Sequence, residues 1–374
     1  LDSSGIVSIA SDLLARENKK LITLSTVAMP SVRDHVVDER EYINLFRTNA
    51  NLKMRYVSAP GHGPFDNLEQ LVKSASLYSY SFQHFQYSAL VRVAQRDQAR
   101  VILDGHAGEF SLTCSPWGYM AELFARGHWN QLVRELRYYD SCHRLGLQAL
   151  KTQVLRPLLP YGLLKLFNRH LKYGNLVAYP VKSDFVRDVL GSEVEEIKDE
   201  VYQALANLPD HRKNMVRVIQ SEQDTLVKGF HGDFIGHETS GFTFPYLDRR
   251  VLEFSLDVDG RYKHRNGEDR QLFRIGMHGL LPPEILHRTS KGLFSPDYHL
   301  RYERQKGKAE RCLNAFAEDG KLSSVVDYNR VMPALNSVPA YSSEKPVWFD
   351  YEPQFLVPNA VYMCYFLNQF SDFH

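Results

Sequence analysis

The sequence predicts an α/β fold, a parallel sheet wound with helices and carrying a large, mainly helical extension. Three observations predict it. Between residues 1 and 105, runs with helical spacing alternate with short β-rich runs. Beyond Gly105 the runs are mainly helical. Finally, 374 residues with 44% hydrophobic and 12% aromatic content supply a large core, which excludes a disordered chain.

The first helix follows Leu1-Asp2-Ser3-Ser4, with Ile6, Ile9, Ala10, Leu13 and Leu14 at helical spacing. A first turn of Asp-Ser-Ser presents hydroxyls and free N–H groups at the positive helix end, which suits an anion such as phosphate. An ordinary N-cap accounts for the same residues and, on these residues alone, is the favoured reading. Leu21–Val27 reads as a strand, and a helix follows Asp38-Glu39-Arg40-Glu41. Leu52–Val57 reads as a second strand, closed by Pro60-Gly61-His62-Gly63-Pro64. Residues 67–98 carry one long helical pattern, and Ala99–Gly105 is a short apolar strand. Parallel sheets bind ligands at the carboxyl ends of their strands. Ser25-Thr26-Val27 and Asp104-Gly105-His106 fall at such ends, so three loops are expected to converge beside the first helix start.

From Trp117 onward, helices are expected over 119–139, 147–171, 185–205, 214–235, 251–256 and 270–280. No repeat, low-complexity segment or Gly/Ser-rich linker divides the chain, which reads as one α/β unit with a helical extension.

Composition excludes several functions. Lys+Arg 45 against Asp+Glu 44 gives a net charge of +1, too balanced for a dedicated nucleic-acid or polybasic membrane binder. The four cysteines, Cys114, Cys142, Cys312 and Cys364, show neither metal spacing nor disulfide density, so a reducing cytoplasm is expected. No membrane span or signal-peptide pattern is visible. His231 and His237, six apart, fit no zinc spacing. The sequence lacks a Walker lysine loop, Gly-x-Gly-x-x-Gly and Gly-x-Ser-x-Gly.

What remains is a set of modest signals. Asp104-Gly105-His106-Ala107-Gly108-Glu109 is a small-residue loop with an acid at its close, suited to a ligand's approach and to Mg²⁺, or simply a strand–helix turn. Asp248, in Pro245-Tyr246-Leu247-Asp248, stands as an N-cap before an apolar helix. Lys291, in Arg288-Thr289-Ser290-Lys291, reads on its own as a solvated loop lysine.

Their order carries more than any one of them. Leu1-Asp2-Ser3-Ser4, Asp38-Glu39, Leu103 to Glu109, Pro245-Tyr246-Leu247-Asp248, Arg274 with Gly279-Leu280-Leu281-Pro282, and Arg288 to Lys291 follow one another in register. The sequence resembles the synthetase domain of asparagine synthetases and their relatives, the β-lactam synthetases and lasso-peptide macrolactam synthetases, from Leu1 to about Tyr298. The resemblance implies a sheet of the adenine-nucleotide α-hydrolase-like (PP-loop) type. Residues 1–112 would form the nucleotide-binding core, without its first strand, and residues 113–374 the helical part with the substrate and lysine loops. Leu1-Asp2-Ser3-Ser4 would be the last four positions of the pyrophosphate loop Ser-Gly-Gly-x-Asp-Ser-Ser. The loop's first three residues, its strand and an N-terminal glutaminase-like domain would belong to a longer parent protein.

The resemblance also implies roles. Asp2 would bind Mg²⁺, Ser3 and Ser4 the β- and γ-phosphates of ATP, Val27 would lie along the adenine, and Gly105 near the nucleotide. Glu109 matches the second metal-binding acid, Lys291 the lysine that stabilises departing pyrophosphate, and Asp248 closes the Pro-Tyr-Leu-Asp landmark of the catalytic region. The implied reaction joins a small-molecule or peptide carboxylate, activated as an acyl-adenylate, to an amine or ammonia. Six positions depart from the pattern. Ala107-Gly108-Glu109-Phe110 replaces Gly-Gly-Asp-Glu; Glu109 is one methylene longer than aspartate, and Phe110 cannot ligate. His106 replaces a glutamate that acts in amide formation, and an imidazole suits a base near neutral pH. Gly241-Phe242-Thr243 replaces Glu-x-Arg, whose arginine would suit a small acidic substrate.

Overall fold

The structure, a computed structural model, describes residues 1–74, 78, 83–143, 146–160, 162–163, 179–191, 193, 208–220, 241–288, 290, 292–318, 320–337 and 351–369. Helix α1 (Asp2–Arg16) runs into strand β1 (Leu21–Thr26), then α2 (Arg40–Asn44) and β2 (Leu52–Val57). β1 and β2 pair in parallel, from Leu21 opposite Leu52 to Thr26 opposite Val57. After α3 (Leu68–Ser74) and α4 (His84–Arg96) comes β3 (Val101–Leu103).

The single expected sheet is, among the described residues, two parallel pairs. β3 pairs with β4 (Gly241–Thr243), 138 residues downstream, with Val101 opposite Gly241 and Leu103 opposite Thr243. Sequence reading misses β4 because three residues opening on glycine carry no period-2 pattern. Gly241-Phe242-Thr243 thus lies alongside β3 over its whole length.

Helical periodicity persists across breaks that it does not register. The run over 67–98 is two helices, α3 and α4. The run over 119–139 is α5 (Tyr119–Ala125) and α6 (Trp129–His143). Gly127 separates them at φ 74°, with Gly127 N–H donating to Phe124 O at 3.1 Å and His128 N–H to Leu123 O at 2.8 Å. These two bonds satisfy the carbonyls that the end of α5 leaves open. The run from 147 begins as α7 (Gly146–Ala149), widens to a π-helix at Leu150–Leu155 and closes as α8 (Arg156–Leu158); residues 164–171 lie outside the described ones. Of the next two expected helices, α9 (Ser183–Leu190) and α10 (211–220) are described, while 194–205 and 221–235 lie outside the described residues. α11 (Arg249–Asp257), α12 (Gly260–Lys263), α13 (Gln271–Gly276) and α14 (Pro283–Leu286) follow.

The last quarter carries no motif but forms much of the core. α15 (Tyr298–Ala317), α16 (Gly320–Val325), α17 (Tyr328–Ala334) and α18 (Tyr351–Asn368) follow among the described residues. Leu356, Val357, Ala360, Val361, Tyr362 and Cys364 of α18 are buried, packed with Leu68 and Val72 of α3, Phe85 of α4 and Val57 of β2. A helix apolar on all sides is stable only when enclosed in this way. No helix among the described residues is long and apolar enough to cross a membrane.

Candidate functional site

The first turn of α1 is not used for capping. Leu1 occupies the cap position and no side chain caps the helix. The ordinary N-cap reading of Asp2-Ser3-Ser4 is thereby overturned: Asp2 is already inside the helix, and its carboxylate turns toward the segment that follows β3, where the Thr113 hydroxyl donates to Oδ1. The Tyr246 hydroxyl donates to the Asp2 carbonyl at 2.8 Å. Burial, and then the charge of Asp2, raise the Tyr246 phenol above its ordinary range, so it remains a donor. The free N–H groups of this turn and the positive end of a 15-residue helix favour an anion.

The loop after β3 meets this turn through its glycines. A Cβ at Gly105 would lie 2.8 Å from Ser3 N and 3.0 Å from Ser3 Cα; one at Gly108 would lie 2.8 Å from Asp2 Cγ. Neither position admits a side chain while Asp2 and Ser3 stay in place. The loop is pinned at its start by the Asp104 N–H, which donates to Thr243 O at 2.9 Å. At its end the Thr113 N–H donates to Gly108 O at 2.9 Å. Ala107 adopts φ 67°, a left-handed conformation that glycine adopts freely and alanine does not. Its methyl is buried against Tyr246 and Phe273, and Phe110 packs on the same cluster. Phe110 is thus an apolar support of the loop. Glu109, between Gly108 and Phe110 in a short 3₁₀ turn, is half-buried. His106 is exposed, and its main-chain N–H donates to Asp104 Oδ1 at 2.8 Å.

Lys291 and Thr289 lie outside the described residues, but their neighbours are firmly held. Arg288 binds the Glu39 carboxylate with both terminal nitrogens, Nη2 to Oε1 at 2.7 Å, and stacks 3.8 Å over the Tyr42 ring. Its Nε donates to Ser290 Oγ at 2.9 Å. Arg274 donates to the carbonyls of Leu286 and Arg288, the latter at 3.2 Å. Gly292 lies against the Glu39 carboxylate, leaving no room for a Cβ.

The other strand ends are fixed by a buried ion pair. Arg301 and Asp297 meet at 2.7 Å. Arg301 also donates to the carbonyls of Ser58, Ala59 and His62 after β2, while Asp297 accepts the Met29 N–H after β1 at 2.8 Å. Asp38 accepts the Ala28 N–H at 3.1 Å. Val27 is buried, its N–H on Val57 O at 3.0 Å. Asp248 caps α11, accepting from Arg250 N–H at 2.9 Å and pairing with its guanidinium. Those bonds to Arg250 pull its carboxyl down to about 2.

The structure therefore brings Asp2, Ser3, Gly105 and Gly108 together, with Thr113 and Tyr246 as supports. Sequence reading misses Thr113, Asp297 and Arg301, because nothing local distinguishes a hydroxyl or an i,i+4 ion pair that reaches a partner far along the chain. No group of three or more His, Cys, Asp or Glu side chains stands together among the described residues. One carboxylate set in a turn of N–H groups, with a second immediately after a contacting glycine, fits a small divalent cation carried on phosphate oxygens better than a metal held wholly by protein.

No curated protein matches the chain. The asparagine synthase family model matches residues 1–356, from the first turn of α1 into α18. The chain belongs to the asparagine synthase family, a family of ATP-dependent amide ligases.

Proposed function

We propose that the chain is the synthetase part of an AMP-forming amide ligase of the asparagine synthetase (glutamine-hydrolysing) type. The observation that carries the reading is the start of α1: an uncapped helical turn whose aspartate is held by Thr113 and whose backbone is pressed against Gly105. That turn suits the pyrophosphate end of ATP. Asp2 and Glu109 would hold Mg²⁺, which neutralises charge on the phosphates when bound. Ser3 and Ser4 would contact the β- and γ-phosphates, and Val27 would line the adenine site. The substrate carboxylate displaces pyrophosphate from the α-phosphate, with Lys291 following the charge of the leaving group. An amine or ammonia then displaces AMP, with His106 taking the proton. Asp248 belongs to the catalytic region through its landmark and contributes as the cap that sets α11. A glutaminase-like domain in the parent protein would supply ammonia, and the setting would be cytoplasmic.

A second reading, a peptide or metabolite ligase such as a lasso-peptide macrolactam synthetase, is favoured by two observations. His106 stands where a glutamate is usual, and Gly241-Phe242-Thr243, in place of Glu-x-Arg, is committed to strand pairing with β3.

Substrate-dependent ATP–pyrophosphate exchange by the full-length protein separates these readings. Exchange with aspartate is the expected result, and Lys291→Ala should reduce it at least about 100-fold while leaving the thermal transition in place. Exchange only with another carboxylate or a peptide would move the protein to the second reading. A folded protein that binds ATP but exchanges with no substrate would point to a degenerate site.

A further inference from the structure

We infer that Asp104 and His106 form a base dyad for the amide-forming step, with Asp104 as the positioning residue and His106 as the group that receives the proton. The inference rests on the ligase reading above and goes beyond it in assigning a second carboxylate to the chemistry.

Asp104 Oδ1 accepts from the main-chain N–H of His106 at 2.8 Å and lies 3.3 Å from the ring Nδ1. An ionised carboxylate only accepts, so this contact requires hydrogen on Nδ1 and leaves the lone pair of the neutral ring on Nε2. An isolated histidine prefers the opposite tautomer, so the carboxylate selects the proton-accepting nitrogen. Asp104 is suited to the task because it is fixed: its own N–H closes the β3–β4 pairing on Thr243 O at 2.9 Å. Its side chain is only 19% exposed, whereas the imidazole is 43% exposed and within reach of a nucleophile. One residue on, Gly105 touches Ser3, so the dyad stands beside the turn assigned to the phosphates.

The step balances without a further reactant. The amine nitrogen attacks the acyl carbon of the adenylate and a C–N bond forms. The extra proton on that nitrogen passes to His106 Nε2. The C–O bond to the phosphate then breaks, and AMP leaves with the electron pair. Asp104 faces the imidazolium as it forms. Where relatives carry a glutamate at this position, this chain keeps a carboxylate two residues earlier and extends its reach through a ring.

The test uses the full-length protein, with Asp104→Ala, Asp104→Asn and His106→Gln followed through both half-reactions. ATP–pyrophosphate exchange should stay within about twofold in all three, while amide formation falls about 100-fold or more. Histidine-selective ¹⁵N NMR, assigned by loss of the signal in His106→Gln, should show the Nδ1–H tautomer in the parent and the Nε2–H tautomer in Asp104→Ala. An Nε2–H tautomer in the parent, unchanged amide formation in the Asp104 variants, or equal loss of both half-reactions would each overturn the dyad. Absence of exchange in the parent protein would overturn the ligase reading, and the dyad with it. It is told apart from failure of the dyad alone, in which exchange persists.

Discussion

Thr113 shows how one hydroxyl organises the start of α1. Its bond to Asp2 Oδ1 occupies one carboxylate oxygen and fixes the plane of the other, as groups behind metal ligands commonly do. Thr113→Val keeps the shape and removes the donor. We expect the Mg²⁺ concentration for half-maximal exchange to rise about tenfold, with little change in maximal rate at saturating Mg²⁺; an unchanged Mg²⁺ requirement would show that Thr113 only packs. Lys263 poses the opposite case, a charge with no ion pair among the described residues. It is buried, and its ammonium donates to Met215 Sδ at 3.2 Å, a weak acceptor. Burial pushes its pKa down and pushes the neighbouring Cys114 thiol up to about 11. The sign follows from proton counts. Between the lowered folded value and the unfolded value of about 10.4, the unfolded state binds more protons, so stability due to this group rises with pH. Lys263→Met should therefore stabilise the protein by about 1–4 kcal/mol at pH 7, with the advantage shrinking toward pH 10. Urea unfolding at pH 7 and pH 9.5 reads both effects, and a less stable variant at pH 7 would contradict the account.

Among elements, legibility tracks how local the determining interactions are. α1, β1, β2 and β3 can be read from apolar spacing because each makes its own pattern. The α3–α4 and α5–α6 breaks cannot, since the same periodicity continues on both sides of them. β4 is hidden because its existence depends on β3. The candidate site divides in the same way. Asp2, Ser3, Gly105 and Gly108 could be picked out by residue type and order, whereas the Arg301–Asp297 pair looks like an ordinary i,i+4 contact at a helix start. In the fold that pair joins α15 to the loops after both β1 and β2. Asp297→Ala would leave a buried guanidinium and the Met29 N–H without their carboxylate, at a cost of about 3–5 kcal/mol. Arg301→Leu should cost a similar amount, and the double variant clearly less than the sum, because the two losses are one loss counted twice. A strictly additive cycle in denaturant unfolding would show that the two residues act independently.

At the scale of the whole molecule, the site is assembled from segments that meet only in the folded chain. The largest core cluster mixes residues 57–91 with residues 298–364, so the helices of the last quarter support the strands whose ends form the site. Glu39 performs the matching task on the other side. It lies after β1, binds Arg288 across 249 positions of sequence and touches Gly292, so it holds both ends of the segment that contains Lys291. Arg288 is also held over the Tyr42 ring, and its hydrogen bonds to the Glu39 carboxylate raise its guanidinium above the ordinary value. Removing the charge of Glu39 should therefore loosen the loop without releasing Arg288 altogether. For Glu39→Gln we expect the maximal exchange rate to fall about tenfold, as for loss of one charge-assisted bidentate bond, with the KM for ATP within about twofold and the thermal transition almost unmoved. This pattern separates loop positioning from nucleotide binding. A rise in KM at unchanged rate would mean that Glu39 serves the nucleotide directly, and a large loss of stability would mean that it serves the core.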